Sequence, residues 1–198
     1  MPESGPPRNT LPSGMDKPPY APWRFGPLDM LRVQRASLTL PFVSAVDLPE
    51  TTKTSLAVLL QPLLAAHISL WALTKTAHWN LKGPQFAPLH ALFDNVAEHL
   101  EDAADTIAER IVQLGGVASG TISVVADAGS STTATPVSPS GLTFVRLLVE
   151  QLAGGASSVR AGVVRSDELG DRATSDMLSS ILQVAEKDLW FLQAHLQG

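Results

Sequence analysis

Apolar residues recur along this chain with the three-to-four-residue period of amphipathic helices, in four stretches. The clearest spans 88–114, where Leu89, Leu92, Phe93, Val96, Leu100, Ala103, Ala104, Ile107, Ala108, Ile111 and Leu114 form one wide stripe. Pro88 suits the first turn of that helix and Gly115-Gly116 ends it. A longer and more apolar helix is predicted before it, at 50–79, with Pro62 inside. An interior proline costs about 3 kcal/mol unless a kink or a late start absorbs it. A third helix is predicted at 142–166, weakened by Gly154-Gly155. A fourth follows at 174–196, with Leu178, Ile181, Leu182, Ala185, Leu189, Leu192 and Leu196 on its buried stripe. Short turns join the first pair and the second pair. The Ser-, Thr-, Ala- and Gly-rich stretch 117–140 is the one long crossover, with 122–128 as a candidate short helix. Two hairpins and one long connection predict an all-α four-helix bundle.

Residues 1–48 break this pattern. They are rich in Pro and Gly and have little periodicity, which predicts a largely irregular N-terminal extension before a helical domain at 49–198. Apolar residues in its second half, from Trp23 to Val43, suit packing on a neighbouring subunit. At 198 residues and 44% hydrophobic, the chain can bury one sizeable core. It has no cysteine, which excludes a disulfide framework and thiolate metal ligation. The first residues lack a charged region followed by an apolar one, so a cytoplasmic location is expected. The apolar run 55–73 is interrupted by Gln61, Pro62, His67 and Ser69 and reads as a buried helix rather than a membrane span.

Five potential metal ligands fall between residues 78 and 109: His78, His90, Asp94, Asp105 and Glu109. Two imidazoles and three carboxylates suit a redox-active iron. Taken singly, each would pass for a capping group, a solvated acid or a satisfied histidine. Their spacing argues otherwise. His90/Asp94 and Asp105/Glu109 are both i,i+4 pairs, so each pair shares one helix face. Asp94 and Asp105 are eleven positions apart, roughly 16 Å along a helix, whereas a metal–ligand bond is about 2 Å. One helix cannot close both pairs on one ion. Two antiparallel copies across a two-fold axis near His99 and Leu100 can, and symmetry then makes two equivalent sites. His78 would fold back over the Gly83-Pro84 turn to complete each site.

The run HWNLKGPQFAPLHALFD, followed by DTIAERIVQLGG, resembles the signature of the Dps family, the mini-ferritins named as DNA-binding proteins from starved cells. Weaker similarity extends over about 50–198. The resemblance implies a ferritin-like four-helix subunit, a hollow dodecamer and ferroxidase sites at two-fold interfaces. It also implies storage of iron as a ferric mineral, with protection from oxidative stress. The family's ligands fall on the same five residues that spacing pairs. By resemblance the oxidant is hydrogen peroxide, and Trp79, structurally an apolar anchor beside the turn, lies near the iron and can intercept an oxidising equivalent. The Glu-x-x-His motif of larger ferritins, whose site lies inside one bundle, is absent.

Asp167, Glu168, Asp171 and Asp176 cluster between the last two helices. They read either as a solvated turn with helix-start acids or, by resemblance, as the lining of a pore (Glu168, Asp171, Asp176) that draws in ferrous ions. DNA is not favoured as a partner. Duplex affinity needs phosphate neutralisation, yet the net charge is −5, and the basic residues of the extension are offset by acids. Twelvefold display could still add avidity, so a nucleoid-compacting protein remains one alternative and a catalytically silent helical scaffold another. His67, His99 and His195 are expected in core or surface roles.

Overall fold

The computed structural model describes residues 40–121 and 140–197. Four helices account for most of them: α1 (Glu50–Asn80), α2 (Phe86–Gln113), α3 (Gly141–Glu168) and α4 (Arg172–Ala194). There is no strand among the described residues. Most of the extension, and the short helix expected at 122–128, lie outside them. The observed ends fall within two residues of the predicted ones, apart from small shifts at capping positions. α2 starts at Phe86, so Pro88 is its third residue; amide groups in the first turn have no intrahelical acceptor, and the missing donor costs nothing there. Ser140 caps α3 by accepting from the Thr143 amide at 3.3 Å.

α1 runs through Pro62 without interruption, and the proline is buried. Its missing donor would have met the carbonyl of Val58, an exposed residue on the outer side of the helix. Gly155 and Gly162 of α3 are packing residues. A methyl group at 155 would stand 2.8 Å from Leu70 Cδ1, and one at 162 would stand 3.1 Å from Leu63 Cδ1 and 3.0 Å from Leu178 Cδ1. Gly155, one of the pair that looked like a weakness in the third helix, and Gly162 are what let α3 approach α1.

α1 packs most extensively on α2 and α3 on α4, whereas α2 and α4 meet over a much narrower contact. The core divides into two apolar clusters along the bundle. One gathers Leu56, Leu60, Leu63, Ile107, Ile111, Val159 and Leu178. The other gathers Leu70, Leu89, Phe93, Val96, Phe144, Leu148 and Leu192. Burying a side chain such as Phe93 contributes about 2–3 kcal/mol. Buried polar side chains interrupt the apolar run: His67 and Thr74 on α1, Gln151 and Ser158 on α3. His67 Nδ1 donates to the Leu63 carbonyl at 2.7 Å, and burial lowers its pKa against that bond's opposing pull. It is a neutral core histidine.

Residues 40–48 lie against the bundle. Leu40, Val46 and Leu48 pack on the first cluster, and the Phe42 amide donates to the Gly115 carbonyl at 3.3 Å. Lys53, almost fully buried, donates to the Ser44 carbonyl at 3.1 Å and to Glu50 at 3.0 Å. The end of the extension is thus strapped to its own subunit, while Phe42 and Val43 point outwards.

Candidate metal centre

The α1–α2 hairpin brings the last turn of α1 against the first turns of α2. Gly83, at φ 108°, makes the reversal. His78 is buried, and its Nδ1 lies 3.1 Å from the backbone carbonyl of His90. A carbonyl only accepts, so Nδ1 carries the proton, and in the neutral ring the Nε2 lone pair is free for a metal. The two imidazoles stack with centroids 3.7 Å apart and planes 23° apart. Phe86 covers the His90 ring at 4.8 Å. His90 Nδ1 is buried and makes no hydrogen bond, an unpaired donor or acceptor of the kind a bound ion or water satisfies.

Asp94 lies one turn beyond. Its Oδ1 accepts from Lys75 Nζ at 2.6 Å and is 3.9 Å from His78 Nδ1. The Lys75 hydrogen bond, more than the surrounding charges of Lys75, His78 and His90, holds its carboxyl below the ordinary aspartate value against a weaker effect of burial. Lys75 was not singled out in the sequence, although it is three residues before His78 and so on the same face of α1. It is the counter-charge of Asp94.

Asp105 and Glu109 are exposed on the same helix, and neither makes a hydrogen bond or ion pair among the described residues. No three His, Asp or Glu side chains of one chain converge as a metal site among those residues. The structure therefore brings His78, His90 and Asp94 together and leaves Asp105 and Glu109 apart from them. Trp79, expected to anchor the turn, is instead 67% exposed. It follows His78 on the last turn of α1 and points away from the core.

The acidic turn is not uniform. Glu168 pairs with Arg165 at 2.9 Å, and Asp176 with Arg172 at 2.9 Å, all on the surface. Asp167 meets Arg172 at 3.4 Å. Asp171, expected to line an opening, is only 5% exposed and points inwards to Arg110 Nη2 at 2.8 Å. Burial pushes its carboxyl up, but hydrogen bonds from Thr174 and Arg110 and the Arg110 charge outweigh that and hold it low. Arg110 also donates through Nε to Thr174 Oγ1 at 2.9 Å, and the Thr174 hydroxyl donates to Asp171. The second buried carboxylate, Asp188, receives His99 Nδ1 at 3.0 and 3.1 Å. Burial raises its pKa more than His99 and Lys187 lower it.

A ferritin-like domain model matches residues 57–198. The DNA protection during starvation protein of Agrobacterium fabrum is 41% identical over 155 residues, 76% of this chain and 93% of that protein. The chain belongs to the Dps family of ferritin-like proteins. Solved Dps structures share the fold. That of Microbacterium arborescens Dps in the high iron form superimposes with a TM-score of 0.72 at 32% identity, covering 79% of this chain and all of that one. The tetragonal form of Mycobacterium smegmatis Dps gives a TM-score of 0.75 at 26% identity, covering 79% of this chain and 94% of that chain. A Vibrio cholerae Dps, described as a member of a broad superfamily of ferritin-like diiron-carboxylate proteins, gives 0.72 at 28% identity, covering 78% of this chain and 97% of that chain. Within this Dps subunit, the helical hairpin places His78, His90 and Asp94 near one another and leaves Asp105 and Glu109 exposed further along α2.

Proposed function

We propose that the protein oxidises iron(II) at sites shared between two subunits and stores the ferric product in a hollow homo-oligomer, a dodecamer. The observation that carries this reading is the split ligand set. His78, His90 and Asp94 are gathered on one face of the hairpin, and Asp105 and Glu109 stand exposed and unpaired further along α2. Two antiparallel copies of α2 would bring the missing acids to each cluster. Membership of the Dps family and the diiron-carboxylate description of the Vibrio cholerae relative support the same reading.

Iron is here the substrate. The imidazole Nε2 of His78 is offered to the ion because Nδ1 is held by the His90 carbonyl. Asp94 must exchange its Lys75 partner for the ion, and the arriving carboxylates of the second copy replace part of the ion's hydration shell. Anionic oxygen ligands stabilise iron(III) over iron(II), which favours loss of the electron. With hydrogen peroxide as oxidant, two iron(II) ions each give one electron, the O–O bond breaks, and two hydroxides form. These are taken up as the ferric product hydrolyses to mineral. Trp79, exposed beside His78, would lie at the seam, where its ring can give up an electron to a stray oxidising equivalent. Glu168 and Asp176 are assigned to the ion inlet, with Asp171 shaping that turn from inside. Oxidation of this kind removes iron and peroxide together, so it protects DNA in the cytoplasm without requiring contact with it.

Mixing two inactive variants tests the sharing. In a 1:1 reassembly of His90→Ala and Glu109→Ala copies, half the two-fold pairs are mixed, and each mixed pair has one intact site. About a quarter of wild-type peroxide-dependent iron(II) oxidation should return. No recovery above the two separate variants would sink the shared site.

A further inference from the structure

Asp105 and Glu109 have no partner within the described chain, so their placement depends wholly on how α2 is rotated about its axis. Apolar packing through Ile107 and Ile111 holds α2 from the core side. On the α4 side the contact is narrow, and two polar ties cross it: His99 to Asp188 and, directly after Glu109, Arg110 to Asp171 and Thr174. We propose that Arg110, held by Asp171 and Thr174, is the positioning residue for the Asp105/Glu109 half of the iron site; this rests on the shared-site reading above.

The clasp is built for orientation. Arg110 and Asp171 side chains are 12% and 5% exposed. The guanidinium spends Nη2 on Asp171, Nε on Thr174 and Nη1 on Gln113 Oε1 at 3.1 Å. Thr174 closes the ring by donating to Asp171. A planar fork fixed on the N-cap and the first turn of another helix restrains angle as well as distance, which an ammonium group does not. Asp171 is itself held, because its amide donates to the Ser166 carbonyl at 3.0 Å. With carboxylates roughly 6 Å from the helix axis, a 20° rotation of α2 moves them by about 2 Å. That equals a whole metal–oxygen bond of about 2 Å, so small angular freedom would empty the coordination position.

The test places the same lesion on either of two copies. Thr174→Val, which removes only the hydroxyl, is introduced into the His90→Ala copy or into the Glu109→Ala copy before mixing. The restored site takes its Asp105 and Glu109 from the His90→Ala copy. Thr174→Val there should raise the half-saturating iron(II) concentration several-fold and lower the recovered rate, and Thr174→Ser should rescue both. On the Glu109→Ala copy it should change neither. Arg110→Lys in the same two positions should give the same asymmetry more strongly, and a failure of Arg110→Lys to assemble leaves the threonine pair to decide. Both mixtures contain equal amounts of every substitution, so a general loss of stability would lower them equally. Equal effects, or no effect in either, overturn the positioning role. Absence of recovery in the parent mixture would instead overturn the shared site.

Discussion

Gln151 offers a test of where the chemistry is not. Its side chain lies inside the bundle at 1% exposure, and neither Oε1 nor Nε2 has a hydrogen-bond partner in the protein. A buried polar group without a partner costs about 1–3 kcal/mol. Leucine is slightly smaller and apolar, so Gln151→Leu removes that cost against a small packing loss, and a net gain of about 1–2 kcal/mol is expected. For a chain of this size each kcal/mol moves Tm by about 2–4 °C, which gives a rise of roughly 2–8 °C. Thermal unfolding must be compared at one protein concentration, because assembly contributes to apparent stability. Iron(II) oxidation by the same variant should be unchanged, since the buried carboxylates among the described residues, Asp171 and Asp188, are already engaged by Arg110 and His99. A drop of more than about 1 kcal/mol would mean that the amide is bonded, through ordered water, to groups that need it. Loss of oxidation with stability intact would move the iron site into the bundle and refute the split-site argument.

Three other outcomes follow from the geometry. Lys75→Met should let the Asp94 carboxyl rise towards its ordinary value, followed by NMR titration; an unmoved pKa would contradict the dominance of the Lys75 hydrogen bond. The wild-type ion pair is present above the unfolded aspartate value and is lost as pH falls through the depressed one. Asp188 has the opposite sign: its raised pKa means that its contribution is full below the unfolded value and is lost as pH rises through the folded one. Asp188→Asn should therefore flatten the stability–pH curve on the acid side of neutrality, and an unchanged curve in denaturant titrations would count against burial as the cause. Gly115→Ala should destabilise by about 2 kcal/mol or more, because Gly115 is at φ 91° and a methyl group would stand 2.6 Å from the Phe42 carbonyl oxygen; a loss under about 0.5 kcal/mol in chemical denaturation would remove the strap's anchor.

Helix positions, the pairing of helices into hairpins and the two i,i+4 pairs on α2, His90/Asp94 and Asp105/Glu109, were all determined by local sequence. Periodicity, caps and the 1.5 Å rise act over a few residues, and they suffice to show that one helix cannot close the set. Contacts between helices were another matter. That Lys75 holds Asp94, that His78 is oriented by a carbonyl twelve residues away, and that Asp171 turns inwards to Arg110 rather than outwards with its acidic neighbours all depend on which faces meet. The same holds for Gly155 and Gly162, whose value lies in the closeness of α1 to α3. A sequence specifies each helix face by its own period, but the partner of a side chain is set by the relative rotation and offset of two helices, and only the packed bundle fixes those.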